Sequence, residues 1–185
     1  MNSLPTLTTD RLRLRPFDFS DGPQLRRMAG DRRIADTTVN IPHPYDEGMA
    51  ETWIATHRPE FEAGRQVNLA ITLGTGGILI GAVGLVIEPD AHRGDLGYWI
   101  GVPHWGRGYC TEAGRAVLRY AFSDLLLNRV TAYHFTRNPA SGRVMEKLGM
   151  HHEGCLRRHL LKWEQYEDLE LYGILAREWR AALDL

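Results

Sequence analysis

The sequence predicts a single α+β domain, because of its length and the order of its elements. The chain has 185 residues, which suits one domain, 1–185, with enough length for a core. Strand-like segments at 8–17, 66–73, 78–88 and 95–102 all precede the central helical segment. Strands grouped in this way, without alternating helices, favour an antiparallel sheet over a doubly wound parallel one.

Composition and charge argue against several classes of function. The chain carries 22 basic and 23 acidic residues, so no overall field recruits nucleic acid or an anionic membrane. Its two cysteines, Cys110 and Cys155, give no disulfide framework and suit a reducing compartment. The N-terminus lacks a signal-sequence pattern, and no apolar run approaches membrane-span length. We therefore expect a cytoplasmic protein without nucleic-acid or membrane partners.

The first strand is predicted at 8–17, where apolar and basic residues alternate. Leu12 and Leu14 are expected to face the core. The interleaved basic side chains are expected to form a solvated face rather than a ligand-binding stripe; they are Arg11, Arg13 and Arg15.

The next elements are two predicted helices, followed by a hairpin. A first helix passes through Leu25 and Met28, and a second covers about 46–63, with an irregular connection at 31–45. The glycine-rich turn 74–77 then joins the two following strands.

The segment 95–113 organises the rest of the chain. An apolar strand runs into the turn Trp105-Gly106-Arg107-Gly108, and a helical segment follows from 111 to 122. The two glycines permit close backbone approach, and the free N–H groups and dipole of a helix N-terminus favour an anion. With Arg107 beside them, the pattern predicts a phosphate or pyrophosphate cradle. A purely structural strand-to-helix turn is the alternative.

Two common phosphate-binding patterns do not fit this turn. The nucleotide P-loop requires Lys and then Ser or Thr after its last glycine, and Tyr109-Cys110 stands there instead. The dinucleotide fingerprint requires a third glycine and a later acidic residue within a βαβ unit. A nucleotide-binding module is therefore disfavoured.

The segment 105–113, Trp-Gly-Arg-Gly-Tyr-Cys-Thr-Glu-Ala, resembles the acetyl-CoA pyrophosphate loop of the GNAT N-acetyltransferases, more narrowly of the RimJ/RimL type. The segment 138–150, which begins Asn-Pro-Ala-Ser and ends Glu-Lys-Leu-Gly-Met, is similar to the second signature of that family. The resemblance extends from Thr9 to Tyr172. It implies a mixed, mainly antiparallel sheet with splayed central strands and flanking helices, and acetyl transfer from acetyl-CoA to an amine.

The resemblance also implies which residues bind acetyl-CoA. The splayed central strand would offer backbone hydrogen bonds to the pantetheine arm at Ile100, Gly101 and Val102. Asn138 would contact the pantetheine amide, and Ser141 would lie near the sulfur and protonate the departing thiolate. For Ser141 a helix N-cap is the alternative role. The pyrophosphate loop would comprise Trp105, Gly106, Arg107, Gly108, Tyr109, Cys110 and Thr111.

The proton acceptor for the amine is less well specified by the sequence. Asp95 stands on the central strand about where several members of the superfamily place a catalytic carboxylate. The alternative is a structural carboxylate that pairs with a neighbouring strand. The ribosomal-protein enzymes can carry a glutamate on the later hairpin, where this chain has Leu160. Without a dedicated base, amines of low pKa, such as N-terminal amines, would be favoured.

The acceptor cleft is implied by the resemblance to lie along the first two helices and their connection. His43, Tyr45 and Trp53 are therefore candidate substrate contacts, with ordinary packing as the alternative for Trp53. The acceptor would be a protein N-terminus or a small-molecule amine, and a homodimer is compatible with the resemblance. We expect no metal, because His151 and His152 point to opposite faces of a strand without further ligands at suitable spacing. A non-catalytic acetyl-CoA sensor on the same fold is the alternative function.

Overall fold

An eight-stranded sheet with helices on both faces forms the centre of the computed structural model, which describes residues 3–74 and 77–183. The strands are β1 (Leu7–Thr8), β2 (Leu12–Arg15), β3 (Gln66–Leu73), β4 (Leu79–Glu88), β5 (Arg93–Ile100), β6 (Arg129–Phe135), β7 (His151–Lys162) and β8 (Gln165–Leu175). The helices are α1 (Gly22–Ala29), α2 (Arg32–Thr37), α3 (Met49–Glu62), α4 (Tyr109–Ser123), α5 (Pro139–Lys147) and α6 (Ala176–Leu183).

The strand order is β1-β2-β3-β4-β5-β6-β8-β7, and every neighbouring pair is antiparallel except β5 and β6. The exception arises because α4 carries the chain across the sheet between these two strands, as a parallel connection requires. The mixed, mainly antiparallel α+β architecture is therefore confirmed.

Alternation along the strands divides the core between the two faces of the sheet. On β5, Leu96 and Ile100 pack in the larger cluster with α4 and α5, whereas Trp99 packs in the smaller cluster with α1 and α3. On β3, Leu69 and Ala70 divide in the same way. Adjacent side chains on β5 therefore face opposite sides of the sheet, one covered by α4 and α5 and the other by α1 and α3. This alternation determines the surroundings of every site residue on that strand.

Several predicted boundaries need correction. The segment 8–17 forms two short strands, because a turn in which Thr9 N–H donates to Leu12 O interrupts it. The connection 31–45 contains helix α2, whose start is capped by the Asp31 carboxylate accepting from the Arg33 N–H. The central strand ends at Ile100 rather than at residue 102. Of the predicted turn 74–77, residues 75 and 76 lie outside the described part of the chain.

Candidate active site

A gap between β5 and β6 is the central feature of the site. Within the described part of the chain, the two strands pair from Arg93 opposite Arg129 to Asp95 opposite Thr131, and their pairing does not continue beyond this point. The expected splayed strands are therefore present. The open edge of β5 presents backbone groups to the gap along the residues that follow Asp95.

The end of β5 shows which backbone groups face the gap. Gly101 N–H donates to Ile80 O of β4, at 2.8 Å. Because backbone groups alternate between the two edges of a strand, those of Ile100 and Tyr98 point to the opposite edge, into the gap. The Trp105 indole N–H already donates to Ile100 O, at 2.5 Å. The carbonyl of Ile100 is therefore already used, and Tyr98, two residues earlier on the same edge, offers its N–H and C=O to a ligand in the gap.

The predicted phosphate cradle lies directly after this strand. A 3₁₀ turn, Val102–His104, ends β5, and the chain then passes through Gly106 and Gly108, at φ 73° and 77°, into α4. Both glycines occupy the left-handed region that other residues avoid. Gly108 is the N-cap of α4, so the first N–H groups of a 15-residue helix point out of this turn. A Cβ added at Gly106 would meet no atom of residues 3–74 and 77–183 within 4 Å, so there is open space beside this glycine.

Arg11 fixes the loop from a distant part of the sequence. Its guanidinium bonds the Glu112 carboxylate in the first turn of α4, with Nε to Oε2 at 2.6 Å, and donates to Arg107 O at 3.0 Å. The same guanidinium lies 4.8 Å from the centre of the Tyr109 ring, and Thr9 Oγ1 donates to Glu112 Oε1 at 2.6 Å. The Arg11 side chain is 49% exposed, so its predicted outward position is confirmed, and the ion pair with Glu112 is an additional contact that the alternation did not predict. The only sequence signal for this clamp was the start of the resemblance at Thr9.

Cys110 points away from the cradle. Its side chain packs against the larger core cluster, and burial raises the pKa of its thiol to about 12. The thiol is therefore protonated at neutral pH and leaves the loop free for phosphate. Thr111 follows in the first turn of α4 and is partly buried.

The first turn of α5 forms the other wall of the gap. Asn138 is the N-cap residue, but in the described structure its side-chain amide makes no capping hydrogen bond to α5. Ser141 is the third residue of the helix, and its Oγ lies 3.0 Å from the Tyr98 hydroxyl of β5. The alternative that Ser141 serves as the N-cap is therefore wrong, because Asn138 occupies that position.

Asp95 lies where the pairing of β5 and β6 ends. Its carboxylate accepts a hydrogen bond from the Thr131 hydroxyl on the neighbouring strand. It shares its face of the sheet with Gly97 and Trp99, the face covered by α1 and α3. Burial, and secondarily the Asp95 charge, raise the pKa of the nearby Tyr133 phenol. A Cβ added at Gly97 would meet no atom of the described residues within 4 Å, so there is local space beside Asp95 under the layer of α1 and α3.

The three candidate substrate residues do not form one cluster. Trp53 packs edge-on against Phe17, with ring centres 5.1 Å apart, and Tyr45 is half-buried against the same smaller core cluster. His43 lies 6.3 Å from the Trp163 ring at the tip of the β7–β8 hairpin. These positions suit packing for Trp53 and leave His43 at a contact between the connection and the hairpin.

Two sets of polar contacts attach the segment from α2 to α3 to the part of the sheet formed by β6, β7 and β8. The Lys162 ammonium donates to Val39 O and Ile41 O, at 3.2 and 3.0 Å. The Arg137 guanidinium bridges Asp36 and Glu167, at 3.0 and 2.9 Å. These contacts fix the connection between α2 and α3 against β8 and the ends of β6 and β7, and no pattern in the sequence predicted them.

His57 makes the stability of this layer sensitive to acid. It is 3% exposed, neither ring nitrogen has a hydrogen-bond partner among the described residues, and burial lowers its pKa to about 4. The folded state therefore disfavours the protonated ring, and stability is complete above pH 6.5 and falls as pH decreases towards 4. Between pH 7 and pH 5, His57 should lower the unfolding free energy of the wild type by about 2 kcal/mol. We expect His57→Leu to lack this part of the decrease. Urea titrations of both proteins at the two pH values measure this, and equal losses would contradict it.

Two further features are absent from the described residues. No three His, Cys, Asp or Glu side chains among residues 3–74 and 77–183 are grouped so that they could hold a metal ion. Within the same ranges, no helix has the length and apolarity needed to cross a membrane.

The fold and the cradle agree with a family of acyltransferases. The family profile described as acetyltransferase (GNAT) domain matches residues 11–151. The chain belongs to the GNAT acetyltransferase family. It is 34% identical over 168 residues to a Bacillus subtilis protein named "Probable N-acetyltransferase YjcK". The matched region covers 88% of this chain and 92% of that protein.

Solved structures share the fold. The RimL ribosomal L7/L12 alpha-N-protein acetyltransferase, solved with coenzyme A, has a TM-score of 0.83 at 17% identity and covers 92% of this chain and 98% of that one. The spermidine N-acetyltransferase from Vibrio cholerae, solved with CoA and spermine, has a TM-score of 0.79 at 20% identity over 93% and 99% of the two chains. The same fold thus serves acetyl acceptors as different as a protein and a polyamine.

Proposed function

We propose that the protein transfers an acetyl group from acetyl-CoA to a primary amine by direct attack within a ternary complex. The observation that supports this most is the continuity of the site. The cradle at Gly106 and Gly108 opens onto the gap beside β5, and the Ser141 hydroxyl stands at the opposite wall of that gap. Pyrophosphate, pantetheine and thioester would therefore meet the cradle, the open edge and Ser141 in that order.

The cradle residues would bind and orient acetyl-CoA. The N–H groups at the start of α4 and the Arg107 cation favour the pyrophosphate. The free edge of β5 at Tyr98 supplies backbone hydrogen bonds to the pantetheine arm, and the Asn138 amide, unused as a cap, is available for the same purpose. Backbone donors fixed in this way also stabilise negative charge on a carbonyl oxygen during attack.

Ser141 is proposed as the proton donor to the leaving thiolate. Its hydroxyl is a donor at every working pH, and it is held on a helix by a defined hydrogen bond. No protein nucleophile is required, because an unprotonated amine attacks a thioester directly.

Asp95 is proposed to have a structural role at the closed end of the gap. It is not proposed as the general base. Its carboxylate is engaged by Thr131, and it lies three residues from Tyr98, about 10 Å along the strand. A terminal α-amine, with a pKa of about 8, releases its proton to water without a dedicated base near neutral pH.

We expect Asp95→Asn to keep the wild-type shape of the profile of kcat/KM against pH from 6 to 10. The variant should lose about 1 kcal/mol of unfolding free energy, because the bond to Thr131 is weakened. A loss of kcat/KM at neutral pH that recovers above the pKa of the amine would instead make Asp95 the general base.

We further assign the chain to the RimJ/RimL type and its reaction to the cytoplasm. The loop 105–113 and the likeness to RimL support this assignment. The acceptor is then a protein N-terminus or a small-molecule amine.

A panel of amines tests the proposed function directly. The purified protein is given acetyl-CoA with peptides bearing free N-termini, with N-terminally blocked lysine peptides and with polyamines, and free CoA is measured. Acceleration of CoA release by one class, with the acetylated amine seen by mass spectrometry, supports the enzyme. Binding of acetyl-CoA without turnover on any amine would favour the sensor function instead.

A further inference from the structure

Tyr98 connects the two walls of the gap. It lies on β5 between Leu96 and Ile100, on the face covered by α4 and α5, and its ring packs against the larger core cluster. Its hydroxyl lies 3.0 Å from both the Oγ and the backbone carbonyl oxygen of Ser141. Since the pairing of β5 with β6 ends at Asp95, before Tyr98, this contact joins β5 directly to α5, the helix that follows β6.

The single proton of the phenol has two acceptors available. The Ser141 carbonyl can only accept, whereas the Ser141 hydroxyl can donate or accept. If the phenol donates to the carbonyl, the Ser141 O–H is directed at the phenol oxygen. If the phenol donates to Oγ instead, the Ser141 O–H is free to turn towards a ligand. The pair can therefore switch without any movement of the backbone.

The phenol keeps its proton at working pH. Burial raises the pKa of Tyr98 far above its usual value, and the hydrogen bond to Ser141 opposes this only in part. Tyr98 is thus a donor, and a donor to Oγ strengthens the hydrogen bond that Ser141 makes in turn.

We propose that Tyr98 is a positioning residue for acetyl transfer, which holds the Ser141 hydroxyl and donates to its oxygen as the thiolate leaves. The inference rests on the proposed role of Ser141 as the acid. The amine nitrogen attacks the carbonyl carbon, a C–N bond forms, and the C–S bond breaks with its electron pair on sulfur. The Ser141 proton passes to sulfur and gives the CoA thiol. The proton lost from nitrogen returns through water to Ser141, so the charges balance.

A double-mutant cycle tests this coupling. Tyr98→Phe, Ser141→Ala and the double variant are compared with the wild type in kcat, in KM for acetyl-CoA and in unfolding by urea. We expect Tyr98→Phe to lower kcat roughly tenfold with little change in KM, the size of one lost hydrogen bond in the transition state. In the Ser141→Ala background the same change should leave kcat within about twofold, because residues that act together are not additive.

Tyr172→Phe is the matched control. Tyr172 is also a buried tyrosine in the core cluster packed on α4 and α5, at 8% exposure, and burial, followed by the nearby charge of Glu146, raises the pKa of its phenol. It should lose stability to a similar extent and keep kcat. If Tyr98→Phe is unstable, Tyr98→Met fills the space without a hydroxyl and serves in the same cycle.

Each outcome decides the inference. Equal losses of kcat from Tyr98→Phe in both backgrounds, or no loss in the wild-type background, overturn the role of Tyr98 and leave Ser141 as the acid. An unchanged kcat in Ser141→Ala overturns the acid assignment and, with it, the inference about Tyr98.

Discussion

Gly108→Asp is expected to abolish acetyl-CoA binding, with a dissociation constant raised about 100-fold or more. The substitution places a negative charge at the N-cap of α4, where the proposed pyrophosphate would be received. The left-handed φ of 77° strains any side chain at this position, but Asp bears it better than most residues and has room, because an added Cβ would lie 3.6 Å from the Arg11 guanidinium. Isothermal titration calorimetry with acetyl-CoA measures the loss, and circular dichroism verifies the fold.

Gly108→Asn is the matched control for this experiment. Both Asn and Asp tolerate the left-handed conformation, at φ 77°, better than other residues with side chains, so the two variants share bulk and backbone strain. They differ in charge, so the Asn variant should bind acetyl-CoA more tightly than the Asp variant, and the difference should shrink in high salt. Equal affinities of the two variants and the wild type would show that no phosphate lies at Gly108.

Ser141→Ala is expected to lower kcat by roughly tenfold to a thousandfold, with little change in acetyl-CoA affinity. The hydroxyl would act when the thiolate departs, so its removal affects the transition state more than the bound ground state. Steady-state kinetics on the acceptor found by the amine panel, together with calorimetry, separate the two quantities.

Stability distinguishes this role from a structural one. The Ser141 hydroxyl bonds Tyr98, so Ser141→Ala should also lose about 1 kcal/mol of unfolding free energy. A loss of stability of that size with kcat unchanged would show that the Ser141–Tyr98 contact only joins α5 to β5. A matched control is Ser141→Cys, which keeps an ionisable proton and a weaker hydrogen-bond donor in a similar shape and should retain more activity than alanine.

Local patterns in the sequence were sufficient to predict the glycine turn between β5 and α4, in which the phosphate cradle is proposed. The positive φ of Gly106 and Gly108 and the start of α4 follow from residue type over a few positions, where glycine is the residue that adopts such angles without strain. The same holds for the alternation of Leu12 and Leu14, which are both buried as predicted. The order of the strands and the resemblance in two segments then predicted the α+β fold and the family.

The contacts that complete the site were decided only by tertiary structure. Arg11 meets Glu112 across 101 positions of sequence, and Tyr98 meets Ser141 across 43. An alternating strand says only that Arg11 leaves the core, and either face of β5 was compatible with Asp95 and Tyr98 until the layers were placed. The pairing of β5 with β6 and its end after Asp95 determine which side chains reach α4 and α5, because strand register fixes the face of every residue at once.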